Sequence, residues 1–207
     1  MAIFAAHTAE HFATIEALAR QIVPDFYAPF FDKATAEYLV ESGHTAAALA
    51  AQVAKGYRHY LIDAGETSGE AGETSGEAGE TSGEAGETSG EAGETLSEAG
   101  ETSGEAGGRA VGYFALGSRK DDGVLLSHFY ILREYRGRGL GQLAMEFIDR
   151  QVTAMGARRI ELFVLRENTA AVGLYRKNGY VVAEEVLTRL GNGAVLEDYL
   201  MRKAVEN

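Results

Sequence analysis

The chain has no cysteine and no tryptophan, and only two of its 207 residues are proline. Without cysteine there can be no disulfide-stapled secreted fold, no thiolate metal site and no cysteine nucleophile. The sequence also lacks an apolar run long enough to cross a membrane, and its first residues do not form the basic-then-apolar pattern of a signal peptide. We therefore expect a cytoplasmic protein that has a real hydrophobic core and no membrane partner.

The net charge of −12 is concentrated in one segment. Residues 65–106 are six tandem copies of GETSGEA, the fifth varied to GETLSEA, and they contain twelve glutamates and no basic residue. Of the 31 acidic residues, 19 therefore remain outside the repeat, against 19 lysines and arginines. We predict a single neutral domain, made of residues 1–64 and 107–207, with an acidic insertion at 65–106. Neither part favours nucleic acid as a partner.

The repeat has two competing interpretations. Its low hydrophobicity, high charge and glycine content are typical of disorder. However, alanine and threonine recur at alternating spacings of three and four, and Thr67–Glu70 matches a helix capping box. One continuous helix over 65–106 would be about 63 Å long and could not close a hairpin. A helical repeat would have to fold back on itself or connect two domain-swapped protomers, which raises the possibility of a homodimer.

The segment from Val124 to Met155 combines a strand, a glycine-rich turn and a helix. Residues 124–132 (VLLSHFYIL) are almost wholly apolar, as in a central strand covered on both faces. From Leu140 the apolar residues recur every three or four positions, which predicts an amphipathic helix that Gly156 ends. The turn between them is RGRGLG, at residues 136–141.

This turn has the features of an anion site. Glycines 137, 139 and 141 leave room for a ligand to approach the backbone, and the helix that begins there offers free N–H groups and the positive end of its dipole. Arg136 and Arg138 add cationic donors that suit phosphate oxygens. The spacing differs from the G-x-G-x-x-G fingerprint of dinucleotide-binding folds. The alternative is a tight turn with two solvated arginines.

These residues resemble the GNAT superfamily of acetyl-CoA-dependent N-acetyltransferases. Residues 136–141 fit its R/Q-x-x-G-x-G/A acetyl-CoA signature, and residues 168–180 (NTAAVGLYRKNGY) are similar to its second motif, which contains an asparagine and a tyrosine. The tail at 191–203 and the segment QIVPDFYAP at 21–29 resemble a bacterial subgroup related to polyamine acetyltransferases. Apart from the insertion, the resemblance covers nearly the whole chain.

The patterns along the chain predict an α/β fold with the order β-ααα-β-β-β-α-β-α-β-β. The resemblance implies a mixed, mostly antiparallel sheet flanked by helices, and the repeat interrupts the predicted hairpin of strands 58–64 and 109–116. We expect the first helix to run from Thr8 to Ile22 and to end at Pro24. His7 and His11, four residues apart, have no third ligand nearby, and we predict no metal site.

The resemblance also assigns site residues. It implies that Tyr175 is a general acid for the CoA thiolate and that Asn168 is a hydrogen-bonding partner on the cofactor side; ordinary core packing is the alternative for Tyr175. It implies that pantetheine pairs with the central strand near Ile131, Leu132 and Arg133, where a bulge opens the strand. The pyrophosphate is expected on the turn residues Arg136, Gly137, Arg138, Gly139, Leu140 and Gly141.

The general base stays open at this level. Glu161 on the predicted strand 159–165 and His128 on the central strand are candidates, and a water chain could replace either. Asp198 resembles an acidic position on the acceptor side and could attract a cationic amine, although a surface acid on a hairpin is the more ordinary interpretation.

The expected function is transfer of an acetyl group from acetyl-CoA to a small amine, a polyamine or a peptide N-terminus. Such a reaction requires a site that holds the acyl carrier, deprotonates an ammonium and protonates the leaving thiolate. The alternative is a non-catalytic acyl-CoA-binding protein whose acidic repeat recruits a basic partner or drives assembly.

Overall fold

The computed structural model describes residues 1–65 and 109–205. In these ranges the predicted order of five helices and seven strands is confirmed. The predicted repeat at 65–106 falls, except for Gly65, outside the described residues. The elements, in chain order, are β1 (Ala2–Ala6), α1 (Ala9–Tyr27), α2 (Lys33–Gly43), α3 (Ala46–Val53), β2 (Tyr57–Asp63), β3 (Ala110–Arg119), β4 (Gly123–Ile131), α4 (Leu140–Ala154), β5 (Arg159–Leu165), α5 (Thr169–Lys177), β6 (Val181–Arg189) and β7 (Val195–Ala204).

The strands form one sheet in the order β1-β2-β3-β4-β5-β7-β6. Every neighbouring pair is antiparallel except β4 and β5, which are parallel and are joined through α4. The sheet is therefore mixed and mostly antiparallel, as predicted. β2 and β3 pair along their length, so the two strands that flank the insertion do form the expected hairpin.

Capping side chains start the first three helices. The side-chain oxygens of Thr8, Asp32 and Thr45 accept hydrogen bonds from the backbone N–H three residues later, which satisfies one otherwise free donor in each helix. Asp32 thus caps α2, which ends at Gly43.

The first helix does not end at Pro24, contrary to the prediction. α1 continues to Tyr27 and closes with a hydrogen bond from Ala28 N–H to the Pro24 carbonyl. Proline removes only one helical hydrogen bond, to the carbonyl of the exposed residue Arg20, and its fixed φ suits a helix. The extra turn brings Phe26 and Tyr27 next to residues of β4 and β5, in the middle of the sheet.

The core lies on both faces of the sheet. On one face Tyr60 stacks on Phe114 with ring centroids 4.9 Å apart, and Phe147 of α4 packs edge-on to Tyr60 at 5.5 Å. On the other face the buried side of α1 covers the sheet with Ile15, Leu18, Ala19, Ile22 and Val23. Burial on both faces explains why the sequences of the strands are nearly continuous apolar runs. Within the described ranges, no helix is both long and apolar enough to span a membrane.

Candidate functional site

The turn before α4 has open backbone. Gly137 and Gly139 adopt φ values of +74° and +80°, which side chains other than glycine rarely tolerate, and a Cβ at either position would meet no atom within 4 Å. Leu143 N–H makes the first helical bond, to the Gly139 carbonyl, at 3.1 Å. The N–H groups of the first turn of α4 are therefore directed at the space that the glycines leave free.

Gly141, the third glycine of the motif, has a role in helix packing. A Cβ at Gly141 would lie 3.3 Å from Leu174 Cδ2 of α5, so the missing side chain lets α4 and α5 approach each other. This approach brings the first turn of α4 next to the helix that carries Tyr175.

Two exposed arginines flank the open turn. Arg136 Nε donates to the Ile131 carbonyl at 2.8 Å, which ties the turn to the end of β4. The Arg138 guanidinium lies 5.3 Å from the ring centroid of Tyr135, a cation–π contact. Both arginines keep further N–H donors directed to solvent beside the helix start. The predicted anion site thus has the groups that hold a pyrophosphate.

A cleft opens where β4 and β5 separate. Their parallel pairing ends at Leu126 and Leu162, and beyond Leu126 the facing edge of β4 has no strand partner in the described part of the chain. The cleft has a volume of about 210 Å³. Its lining residues come from α1, β4, β5, α5 and β7: Phe26, Tyr27, Leu125, Leu126, Ser127, His128, Phe129, Tyr130, Leu162, Phe163, Val164, Leu165, Asn168, Tyr175, Leu196 and Asp198.

The predicted bulge in β4 lies earlier than residues 131–133. The register with β3 shifts so that His128 and Phe129 together oppose Phe114, and His128 has a φ of +56°. At the predicted position, Leu132 N–H donates to the Val111 carbonyl at 2.8 Å and the Leu132 side chain is buried. The open backbone that faces the cleft is therefore at 127–130, upstream of Ile131, Leu132 and Arg133.

Tyr175 and Asn168 both reach the cleft, as the second motif predicted for a shared site. Burial raises the pKa of Tyr175 above its ordinary value, so the phenol keeps its proton at neutral pH. Asn168 is the N-cap of α5: its Oδ1 accepts from Ala171 N–H at 3.2 Å, and its amide group is left to face the cleft. The same residue thus starts the helix that positions Tyr175.

His128 lines the cleft, but its environment opposes the role of general base. Its ring centroid lies 4.3 Å from that of His44, whose Nδ1 is 3.0 Å from the Tyr113 hydroxyl. Burial, followed by the charges that His44 and His59 would carry, lowers the pKa of His128 well below its usual value. The sequence alone does not show that His44, His59 and His128 lie close together in one interior.

Glu161 is not in the cleft, which argues against the other predicted base. Its Oε1 accepts from Arg202 Nε at 2.7 Å, and Arg159 Nε and Arg119 Nε lie 3.4 Å and 4.0 Å from its carboxylate. Burial acts to raise the pKa of Glu161, but the Arg202 hydrogen bond and the three positive charges outweigh it, so the net shift is downward. A carboxylate held by three arginines is a poor proton acceptor.

Asp198 has the features that the predicted bases lack. It is only 7% exposed and it lines the cleft, whereas the sequence favoured a surface acid. β7 pairs Asp198 with Leu165 on one side and with Val186 on the other. Burial raises the pKa of Asp198 to about 6. The period-two alternation of β7, with Leu196, Asp198 and Leu200 on one face, is the signal that could have identified it.

Comparisons with known proteins agree with this geometry. Residues 82–180, just under half of the chain, match the family model described as the acetyltransferase (GNAT) family. An uncharacterized N-acetyltransferase of Bacillus subtilis is 41% identical over 54 residues, which are 26% of this chain and 34% of that protein. A mycothiol acetyltransferase of Corynebacterium glutamicum is 46% identical over 50 residues, which are 24% of this chain and 17% of that protein.

The matched segments thus span about a third and about a sixth of those relatives. Among solved structures, the PaiA N-acetyltransferase of Thermoplasma acidophilum in complex with coenzyme A aligns with a TM-score of 0.65 at 16% identity, over 99% of both chains. That likeness concerns the fold, and the sequence matches concern the family. The sequence matches therefore relate residues 82–180 to the GNAT family, and the structural likeness shows that the described residues have the same fold.

Proposed function

We propose that this chain is an acetyl-CoA-dependent N-acetyltransferase that acts on a primary amine by direct attack in a ternary complex. The observation that carries the proposal is the cleft between β4 and β5, which Tyr175 and Asn168 line, next to the open turn at the start of α4. Acetyl-CoA supplies an activated acyl group as a thioester, and the overall reaction converts an ammonium ion and this thioester to an amide, a thiol and one proton.

The residues of the turn fit the acyl carrier. Gly137 and Gly139 leave an open cradle, the α4 N–H groups are free to bind oxyanions, and Arg136 and Arg138 add positive charge. We assign the pyrophosphate to residues 136–141 and the pantetheine arm to the end of β4, with Ile131, Leu132 and Arg133 adjoining the open backbone at 127–130. Asn168 would then bind the carrier from the opposite wall of the cleft.

Tyr175 is the general acid of the proposal. Because burial raises its pKa, the hydroxyl is protonated at neutral pH and can donate to a thiolate as that charge develops. Its ring lies 5.7 Å from that of Tyr180, and both tyrosines are buried, so the position of the hydroxyl is fixed by packing rather than by solvent. Because the Tyr175 hydroxyl is already in position, the protein needs little reorganisation during the reaction.

The acceptor we propose is a small amine or polyamine, with a peptide N-terminus as the remaining candidate. A cleft of about 210 Å³ accommodates an amine on a narrow aliphatic stem more readily than a bulky side chain. The resemblance of the tail to polyamine acetyltransferases supports the same class. We further propose that the protein works in the cytoplasm.

The acidic repeat favours a second candidate. Twelve glutamates without a basic residue in 65–106 are an unusual insertion for an enzyme loop, and they would suit a protein that binds acyl-CoA and assembles through the repeat, as a homodimer or with a basic partner. Turnover separates the two candidates, because only the enzyme consumes acetyl-CoA when an amine is added.

The test measures thiol release from acetyl-CoA with a panel of polyamines, small amines, amino acids and short peptides. The full chain is compared with a variant that lacks 65–106. Amine-dependent thiol release by both proteins supports the enzyme and makes the repeat dispensable for chemistry. Acetyl-CoA binding without turnover on any acceptor, together with loss of self-association in the shortened variant, would support the binding protein instead.

A further inference from the structure

The carboxylate of Asp198 is buried in the cleft without a protein partner. Within residues 1–65 and 109–205, no side-chain hydrogen bond or ion pair reaches it, although it is only 7% exposed. By contrast, the two other buried carboxylates of the sheet have partners: Glu161 accepts from Arg202 and Asp63 accepts from the Gly65 N–H. A buried ionised carboxylate is unfavourable unless a cation or donors compensate it. The cleft therefore offers an unsatisfied negative charge to a ligand.

The other groups that line the cleft do not neutralise this charge. The titratable side chains that face the same space are Tyr27 from α1, His128 and Tyr130 from β4, and Tyr175 from α5. Burial lowers the pKa of His128 and raises the pKa of each tyrosine, so all four are uncharged at neutral pH. No lysine or arginine is among the lining residues. In this part of the described structure, Asp198 alone carries charge.

Aromatic rings surround the same space. Phe26 and Tyr27, at the end of α1, pack edge-on with centroids 4.7 Å apart, and Phe26 also packs against Tyr130 at 6.1 Å. Tyr27 and Tyr130 both line the cleft, so their rings add to its apolar surface. Aromatic faces together with a single carboxylate attract an ammonium group on an apolar stem.

We propose that Asp198 is a catalytic residue, which binds the acceptor as a primary ammonium ion and removes one proton from its nitrogen. This inference rests on the proposed function, because it places the acceptor amine in the same cleft. In the step, one N–H bond breaks and one O–H bond forms, so the ammonium becomes an amine and the carboxylate becomes a carboxylic acid. The electron pair left on nitrogen is the pair that attacks the acyl carbon. Asp198 later releases its proton to solvent.

Position and protonation agree with this assignment. Asp198 and Tyr175 line one cleft but come from β7 and α5, so a base and an acid stand on different elements around the space between them. Because burial raises the pKa of Asp198 to about 6, the carboxylate is ionised at pH 7 and is a stronger base than an exposed aspartate. Neither predicted base combines cleft position with a raised proton affinity.

The experiment compares Asp198→Asn with the unaltered chain on an amine that the panel shows to be a substrate. With the carboxylate present, kcat/KM should rise with pH through about 6. In Asp198→Asn, the acceptor amine must already be deprotonated when it binds. The rise in kcat/KM near pH 6 should therefore disappear, and kcat/KM should instead increase as the pH approaches the pKa of the free amine. At pH 7 we expect kcat/KM to fall by about 10²- to 10⁴-fold. Asp198→Glu, which keeps the carboxylate, should recover part of kcat/KM and its increase with pH near 6.

Glu197→Gln is the matched control, since Glu197 is the preceding residue of β7, is exposed and lies outside the lining of the cleft. It should leave both the rate and the pH profile unchanged. The inference would be overturned by an Asp198→Asn variant that has the Tm of the unaltered chain and whose kcat/KM still rises with pH near 6.

A binding measurement separates this inference from the proposed function. Titration calorimetry of the coenzyme A-loaded chain with n-butylamine, spermidine and the neutral comparator 1-butanol should show the two amines binding and the alcohol not. Asp198→Asn should weaken amine binding by at least tenfold, and Glu197→Gln should not. If no amine is ever acetylated, the proposed function fails, whereas equal amine binding by Asp198→Asn and the unaltered chain overturns the role of Asp198 regardless of turnover.

Discussion

Arg202 Nε lies 2.7 Å from Glu161 Oε1, and this contact joins neighbouring strands β5 and β7 in register. The buried carboxylate also lies near Arg159 and Arg119, so it holds together a cluster of positive charge. These contacts occupy the Glu161 carboxylate, which does not line the cleft.

Replacing Glu161 should therefore lower stability and spare activity. Glu161→Gln leaves three arginines without their shared anion, and we expect the free energy of unfolding to fall by about 1–3 kcal/mol, the range for hydrogen bonds to charged groups. Urea unfolding measures this change, and thiol release at a temperature where both proteins are folded should show kcat/KM within about twofold. A large loss of kcat/KM with unchanged stability would restore Glu161 as a base candidate.

Tyr175→Phe should reduce kcat/KM by about 10²- to 10⁴-fold, because it removes the proposed proton donor. Affinity for coenzyme A, measured by calorimetry, should stay within about twofold, since the ring keeps its packing. The control is Tyr180→Phe: the Tyr180 hydroxyl is buried without a hydrogen-bond partner in the described structure, so its removal should be neutral or stabilising. Equal effects of the two substitutions on kcat would argue against an acid role.

Gly139→Ala should weaken coenzyme A binding. The residue has a φ of +80°, so a side chain strains the turn by about 1–2 kcal/mol and shifts the N–H groups at the start of α4. We expect the Kd for coenzyme A to rise by about tenfold or more. Gly156→Ala is the matched control, because Gly156 follows the opposite end of α4 with a φ of +68° and equally open surroundings. It should lose similar stability and keep the affinity.

Acid should destabilise the chain because it protonates histidines in the unfolded state. Burial lowers the pKa values of His44 and His59 to about 4, below the ordinary histidine value of about 6.5, so the unfolded chain binds more protons at these positions between the two values. Stability is then full above pH 6.5 and falls as pH drops toward 4, with a slope of about 1.4 kcal/mol per pH unit for each histidine.

Substitution of one histidine tests this linkage. Both ring nitrogens of His59 are buried without hydrogen-bond partners in the described structure, and the ring packs edge-on to Phe12 at 5.9 Å. His59→Phe should therefore reduce the slope of unfolding free energy between pH 4.5 and 6.5. His7→Gln, at an exposed position, should leave the slope unchanged. An unchanged slope in His59→Phe would assign the acid sensitivity to other groups.

Local patterns in the sequence were sufficient to predict the element order and the glycine-rich turn before α4. The apolar runs of the strands, the helical spacing after Leu140 and the positions of Gly137 and Gly139 are each properties of a short segment. The continuation of α1 past Pro24 escaped prediction because packing against the sheet outweighs the loss of one hydrogen bond.

The residues around the cleft could not be sorted in the same way. The surroundings of His128, Glu161 and Asp198 depend on side chains brought from distant parts of the chain, such as His44 and Arg202. The two predicted base candidates and the acid expected near the acceptor therefore end in three environments: a histidine-rich interior, a cluster of arginines and an open cleft. Only the third leaves a carboxylate free to act on a ligand.

The hairpin of β2 and β3 has a consequence for folding kinetics. Ala64 N–H donates to the Arg109 carbonyl at 3.4 Å, so two backbone groups 45 positions apart meet where an uninterrupted hairpin would have a tight turn. The insertion thus converts a local pairing of the sheet into a long-range one and raises the average sequence separation of contacting residues. We expect a variant without residues 65–106 to refold faster than the full chain. If this hairpin forms before the transition state, the deletion should change the folding rate more than the unfolding rate.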